Sequence, residues 1–305
     1  MKPSHYYIQT FDIDPTTRLP VTSSLSALLT DTTLTTDDTL ILYISSLHFG
    51  TDPSTAKPYL HLNDNDTDEL VAFWQDVQRR CEKAVCRVEV RVMLGGAGGA
   101  YTTLFTDFET YYNLLHSFLQ THSFISGIDL DIEEQLHTDP KQALARVQKL
   151  ITRLHHDTKA TVAHPFAITM APVASSLTGD CVGMGGFVYK DFAQSSCGQM
   201  ISQYNVQAYG SYDYDTFHSI VQNGFAPEQL VFGMLGDDFE QATPFASAMT
   251  ELQRITKTYP RHGGAILWEY GDTKVDGVMW GQAVRRAVAT TVQDMHAVAE
   301  RCVMM

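Results

Sequence analysis

The sequence predicts an α/β protein built as one (β/α)8 TIM barrel, and two observations carry that prediction. Eight apolar, strand-like runs alternate with segments of helical periodicity almost from end to end. The chain is 305 residues long, with no low-complexity tract, Pro/Ser-rich linker or short repeat, and barrels of this kind commonly run to such a length as a single unit. The expected domain therefore covers residues 1–305 as one catalytic barrel. Alternation alone does not distinguish a closed barrel from a doubly wound open sheet, which stands as the alternative.

The strand candidates, in order, are Tyr6 to Phe11, Thr39 to Leu47, Val88 to Leu94 and Ser126 to Glu133, then Phe166 to Pro172, Val206 to Tyr209, Leu230 to Leu235 and Gly264 to Tyr270. Each is a run of aliphatic and aromatic residues of strand length. Between them the spacing predicts helices over Thr67 to Val85, Thr106 to Gln120, Lys141 to Thr158, Asp213 to Gln222, Pro244 to Thr258 and Trp280 to Cys302. The Asp213 helix opens on an Asp cap and stops before Asn223-Gly224, the expected pair of boundary signals. The first and fifth crossovers, near Ser23 to Leu29 and Gly186 to Gln194, are less clearly helical.

Chemistry concentrates in the fourth run, Gly-Ile-Asp-Leu-Asp-Ile-Glu-Glu from 127 to 134. Asp129, Asp131 and Glu133 fall on every second residue, with Ile128, Leu130 and Ile132 between. Successive side chains of a strand point to opposite faces, so the three acids share one face and the three aliphatics the other. Carboxylates crowded on an inward face repel one another and are costly to desolvate, so at least one is expected to hold a proton near neutral pH. A carboxyl kept protonated there is equipped to act as a general acid. Solvated surface is the usual fate of acid runs, but surface acids do not normally alternate with Ile and Leu inside a strand. A hard-cation site is the other reading of a carboxylate cluster, yet the segment has no EF-hand spacing and no His partner.

Composition narrows the partners. The balance of 21 basic against 35 acidic residues gives a formal charge of −14. That argues against nucleic acid or an anionic membrane as partner and is compatible with a neutral sugar. No apolar run approaches a membrane span and no secretory signal is visible. Five cysteines, Cys81, Cys86, Cys181, Cys197 and Cys302, are odd in number and unevenly spaced. They fit reduced thiols in a cytoplasmic protein better than a disulfide framework, although Cys181 and Cys197 are close enough in sequence to bridge in an oxidising compartment. A secreted chain read without its signal segment would look the same. The twelve histidines show no metal-ligand spacing, so neither metal nor organic cofactor is expected.

In a barrel, active sites form where the strands end at the C-terminal face. Glu133, Tyr209 and Trp268 lie at or near the ends of the fourth, sixth and eighth runs, and Gly95-Gly96 closes the third. Polar and aromatic residues collected at one rim are what a sugar pocket requires. Taken singly, Trp268 also reads as core and Tyr209 as an ordinary strand aromatic.

Placed in this order, the residues resemble glycoside hydrolase family 18. The family's fourth-strand signature is Asp-x-x-Asp-x-Asp-x-Glu, and Asp129, Asp131 and Glu133 match its last three acids, with Ser126 at the leading position. Its third-strand Ser-x-Gly-Gly appears as Met93-Leu94-Gly95-Gly96, keeping the glycines and losing the Ser, and Trp268 resembles its eighth-strand Trp. The fungal endo-β-N-acetylglucosaminidases of the family are similar over nearly the whole chain. The similar stretches include His61-Leu62-Asn63-Asp64, Ala171-Pro172-Val173-Ala174-Ser175, Tyr204 to Tyr209, Asn223 to Pro227 and Gly263 to Tyr270.

The resemblance implies a retaining, substrate-assisted reaction on the β-1,4 bond of the N,N'-diacetylchitobiose core of N-glycans. In it Glu133 is the general acid, Asp131 holds the substrate's acetamide, Asp129 supports Asp131 and shares its proton, Tyr209 bonds the acetamide oxygen and Trp268 stacks beneath the ring. Gln207 and Asn205, with Gly95, Gly96 and Met170, are further substrate-binding candidates. The expected partner is an N-glycan, a glycoprotein or another GlcNAc-containing oligosaccharide, met by a monomer. A chitinase acting on GlcNAc polymers and a non-catalytic carbohydrate-binding member of the fold are the alternatives, and the intact Glu133 speaks against the second. The polar segment from Thr51 to Asp68 is the first place to look for glycan contacts.

Overall fold

A computed structural model of the chain describes residues 2–159, 165–236, 242–271 and 277–289. Its core is eight parallel strands: β1 (Ser4–Ile8), β2 (Thr39–Thr51), β3 (Arg87–Gly95), β4 (Ile125–Asp131), β5 (Ala167–Met170), β6 (Gln203–Gln207), β7 (Leu230–Leu235) and β8 (Gly264–Trp268). Each pairs with the next, and β8 returns to β1 with Ser4 opposite Ala265 and Tyr6 opposite Leu267. A sheet whose last strand bonds its first has no edge, so the barrel is closed and the open-sheet alternative is excluded.

Helices fill the crossovers: α1 (Leu25–Leu29), α2 (Val71–Glu82), α3 (Ala100–Thr106), α4 (Phe108–Thr121), α5 (Pro140–Lys159), α6 (Tyr189–Ala193), α7 (Tyr214–Gln222), α8 (Ala242–Thr258) and α9 (277–289). The two crossovers with weak periodicity carry the five-residue helices α1 and α6. The Asp213 carboxylate accepts the Thr216 N–H at 2.7 Å to start α7, and Gly224 follows its C-cap at φ +103°. The predicted helix from Trp280 to Cys302 is described as far as residue 289, so its remainder and Cys302 lie outside the described residues.

The apolar residues fall into two layers. Outward-facing side chains such as Val92, Leu94, Ile128 and Leu130 are fully buried and belong to the layer beneath the helices. Inside the barrel, Tyr7, Ile41, Tyr43, Met93, Val231 and Ile266 form a separate small cluster that floors the C-terminal mouth, with Trp268 packed on it. β2 runs on past the barrel and folds back antiparallel onto Pro58–Leu62, Leu47 facing Leu62 and Thr51 facing Pro58. The polar stretch picked out from the sequence is thus a hairpin standing over the mouth. Asn63 pins it: its Nδ2 donates to Ser45 O at 2.8 Å and Gln9 O at 2.9 Å, and its Oδ1 accepts the Ser46 N–H at 3.1 Å.

Several boundaries differ from the predicted ones. β1 ends at Ile8, β4 at Asp131 and β6 at Gln207, so Glu133 and Tyr209 stand two residues past their strands. β6 also begins earlier, at Gln203, because it alternates polar-in with apolar-out and Gln203 and Asn205 are inward. An apolar-run criterion skips such residues. Among the described residues, no helix is long and apolar enough to cross a membrane.

Candidate active site

The site begins with β4. Ile128, Leu130 and Ile132 are at most 3% exposed on the helix side, while Asp129 and Asp131 are 0% and 4% exposed on the inner side. Glu133 is half-buried at the mouth. A carboxylate this deep survives only with partners, and Asp129 has them. Tyr7 Oη donates to its Oδ2 at 2.6 Å; Asn205 Nδ2 at 3.0 Å and the Thr169 hydroxyl donate to its Oδ1. Behind these donors a chain of hydrogen bonds runs to the barrel floor. Gln203 Nε2 donates to Asn205 Oδ1 and to Tyr43 Oη, each at 2.9 Å, and Arg91 donates to Tyr43 Oη at 2.9 Å. The network locks the Asn205 amide with its NH2 toward Asp129.

Asp131 and Glu133 are joined by one amide. Gln207 Nε2 lies 2.9 Å from Asp131 Oδ1, 3.2 Å from Glu133 Oε1 and 2.9 Å from Ala171 O. Its two N–H bonds are thus shared among three acceptors. Burial pushes the Asp129 carboxyl up to about 6, against the pull of its donors and of Arg91. Asp131 is driven well above the usual carboxylate range, first by burial, then by the neighbouring charges of Glu133 and Asp129. Asp131 is thus pushed toward its protonated form: it is buried beside two other carboxyls and has one side-chain donor, the Gln207 amide, where Asp129 has three. Burial and the same three acids also raise the Tyr209 hydroxyl well above its ordinary value, so it stays protonated and can donate.

These groups meet in a cavity of about 200 Å³ at the C-terminal mouth, lined by Tyr7, Gln9, Ser46, Gly96, Ala97, Asp131, Glu133, Ala171, Gln207, Tyr209 and Trp268. Trp268 closes one side, its ring meeting Tyr7 edge-on at 5.1 Å between centroids. The third-strand glycines have separate duties. Gly95, at φ +97°, passes so close to β4 that an added Cβ would lie 2.3 Å from Asp131 O. Gly96 lines the cavity and donates its N–H to Asp131 O at 2.9 Å. A larger cavity, of about 650 Å³, adjoins across Gln9 and Ala97, with His48, His61, Asn63, Asn65 and Glu269 on its walls. His48 and His61 stack there at 5.7 Å, and burial lowers the pKa of both rings.

Of the residues expected from sequence, Asp131, Glu133, Gln207, Tyr209, Trp268 and Gly96 line one cavity, with Asp129 directly behind. Three expectations need correction. Met170 is paired with Leu130, shares its outward face and is fully buried under the helices, so it cannot reach a substrate. Asn205 is 1% exposed and serves Asp129 instead. Gly95 acts through close packing and does not line the cavity. Cys181 and Cys197 are free thiols, exposed and buried respectively. Sequence reasoning missed Tyr7, Thr169, Gln203 and Gln9; the inward parity of His5, Tyr7 and Gln9 along β1 was the available signal for two of them. Among the described residues, no group of three or more His, Cys, Asp or Glu is placed to hold a metal ion.

The raised Asp129 value gives a signed prediction. Its protonated form is favoured by the fold, so the contribution is complete below the unfolded carboxyl value and is lost as pH rises through about 6. Buried His5 and His262, lowered to about 3, act in the opposite sense, so the difference between proteins is the clean readout. From pH 4.5 to pH 7, Asp129→Asn is expected to gain about 2 kcal/mol in stability relative to wild type. Denaturant melts of both proteins across that range check this; a constant difference would refute a raised Asp129.

A scan against protein-family models finds no match, and a search of curated proteins finds none either. Solved structures do match. A fungal endo-β-N-acetylglucosaminidase from glycosyl hydrolase family 18 is 28% identical, covering 93% of this chain and 97% of its own, with a TM-score of 0.72. The chitinase ChiC from Aspergillus fumigatus is 29% identical over 90% of this chain and 93% of its own, with a TM-score of 0.70. A family 18 chitinase from Pseudoalteromonas aurantia, at 17% identity and a TM-score of 0.58 over 93% of this chain and 99% of its own, shares the fold. With the acid triplet on the fourth strand of a closed barrel, Trp268 at the end of the eighth and these likenesses over nearly full length, the chain has the fold and the site pattern of glycoside hydrolase family 18, which supports a glycosidase.

Proposed function

We propose that the protein is an endo-β-N-acetylglucosaminidase that cleaves between the two core GlcNAc residues of N-glycans by a retaining, substrate-assisted reaction. The observation that carries the proposal is the convergence of Asp131, Glu133, Gln207, Tyr209 and Trp268 on one cavity, where burial and the neighbouring acids push the Asp131 carboxyl toward its protonated form. Trp268 forms the floor for a GlcNAc ring. As the ring's acetamide N–H reaches Asp131, that new donor favours the carboxylate form, and the proton of the pair passes to Glu133. Glu133 gives it to the glycosidic oxygen; the C1–O bond breaks, and the acetamide carbonyl oxygen bonds C1 to form an oxazolinium ion. Tyr209 donates to the acetamide oxygen and orients it, while Asp131 and Asp129 offset the positive charge. Glu133, now a carboxylate, takes a proton from water as it opens the ring with retained configuration.

Holding the internal nucleophile in place supplies on the order of 7–11 kcal/mol of barrier lowering, which is why the site has an acetamide holder and a ring floor as well as an acid. A two-carboxylate separation test does not apply to this reaction type. The cavity of about 650 Å³ beside the reaction cavity supports a substrate with bulk beyond the cleaved unit, consistent with a branched glycan. Family likeness of similar strength to a chitinase makes a linear GlcNAc polymer the second reading. Incubation with a high-mannose glycopeptide and, separately, with chitin oligosaccharides distinguishes them by product mass. Release of a glycan ending in one GlcNAc is expected; cleavage of the chitin series alone would overturn the proposal, and binding without cleavage of either would leave a carbohydrate-binding protein.

A further inference from the structure

The geometry points to Glu134 as a positioning residue for the general acid, a reading that rests on Glu133 being that acid. β4 stops pairing at Asp131, so Glu133 sits on backbone without a sheet partner. The neighbouring side chain supplies the missing restraint. Glu134 turns away from the reaction cavity to the N-terminus of α3, where its carboxylate accepts the N–H of Tyr101, the N–H of Thr102 at 2.9 Å and the Thr102 hydroxyl. Hydrogen bonds to an ionised acceptor are about twice as strong as neutral ones.

The unit that Glu134 grips is itself rigid. Tyr101 is 1% exposed, its hydroxyl donates to Leu94 O at 2.7 Å, and its ring stands where a Cβ on Gly95 would lie 2.5 Å away. The same turn reaches β4 a second time through Gly96 N–H to Asp131 O at 2.9 Å. Glu133 therefore lies between two tie points on one body, the carbonyl of Asp131 and the carboxylate of Glu134. A general acid must meet its oxygen within about 2.6–3.2 Å, and a displacement of roughly 1 Å can cost about 100-fold in rate. Glu134 thereby sets the reach of the acid without touching substrate.

Leaving-group dependence separates this role from plain stabilisation. A glycan leaving group needs the proton; a 4-nitrophenolate barely does. In Glu134→Ala, first-turnover cleavage of a glycopeptide is expected to fall roughly 10- to 100-fold with KM little changed, while first-turnover release of 4-nitrophenol from an aryl glycoside falls several-fold less. Glu134→Gln, which keeps one acceptor oxygen, is expected to show the same bias at smaller size, and it carries the test if the alanine variant does not fold. Equal losses on both substrates, or none, would overturn the assignment. Glu133→Gln run alongside must show the largest bias of all. If it shows none, the acid role of Glu133 fails; if it does and the Glu134 variants do not, only the positioning role fails.

Discussion

Glu133→Gln is expected to remove hydrolysis of a GlcNAc-core substrate while leaving binding nearly intact. The amide is close in shape to the carboxyl and can still accept from Gln207, which in the native protein lies 3.2 Å from Glu133 Oε1. The cavity and the Trp268 floor are untouched. What disappears is the transferable proton, needed by the leaving oxygen in the first step and withdrawn from water in the second. General acid–base catalysis of this sort contributes typically 10²–10⁴-fold, and both steps draw on it here, so a loss of about 10⁴-fold in kcat is expected. Calorimetric titration with the uncleaved substrate should give a Kd within about threefold of that of the native protein, because uniform binding groups are retained. Substantial remaining turnover would show that another group delivers the proton.

Asp131→Asn is the second large effect, and its value lies in where it stops. The variant loses the charge that offsets the oxazolinium ion and the acceptor that turns the acetamide toward C1. It also presents an NH2 group where an N–H must be received. Removing one such electrostatic stabiliser costs about 10²–10³-fold, so cleavage of a glycopeptide should fall by that amount. A sugar oxazoline supplied ready-made already contains the bond that Asp131 helps to form. Its consumption, by water or by a GlcNAc acceptor, requires Glu133 as base and is expected to persist. Parallel assays with glycopeptide and oxazoline measure the split. Equal loss on both would mean that Asp131 acts beyond orienting and charge-balancing the acetamide, for instance by holding Glu133 in place through the shared Gln207 amide.

Much of this site was legible in the order of residues because strand geometry has a period of two. The alternation from Ile128 to Glu133 can be satisfied only by one wet face and one dry one, and the burial of Asp129 and Asp131 opposite Ile128 and Leu130 follows it. Tyr209 and Trp268 were readable through the rule that barrel chemistry gathers at strand C-termini. Met170 was misread because parity along β5 has meaning only relative to a neighbour. Register opposite Leu130 sends it outward, and a shift of one residue would have sent it in. Thr169, its neighbour, takes the inward place and bonds Asp129. Gln203 and Asn205 escaped a search for apolar strands because their strand is polar on its inner face.

Sequence alone determined the strand count and the sharing of one face by three acids, since both follow from local periodicity; the family came from the resemblance of the motifs. Tertiary structure decided the rest. Closure of β8 onto β1 turns an inner face into a sealed interior, and it is the interior that lifts the acids. How far each is lifted depends on how many donors reach it from distant strands: Tyr7, Thr169 and Asn205 converge on Asp129, whereas Asp131 has the amide of Gln207, shared with Glu133. Electrostatic free energies fall off with distance in space, not along the chain, so no reading of neighbours in sequence could have ranked those two carboxyls.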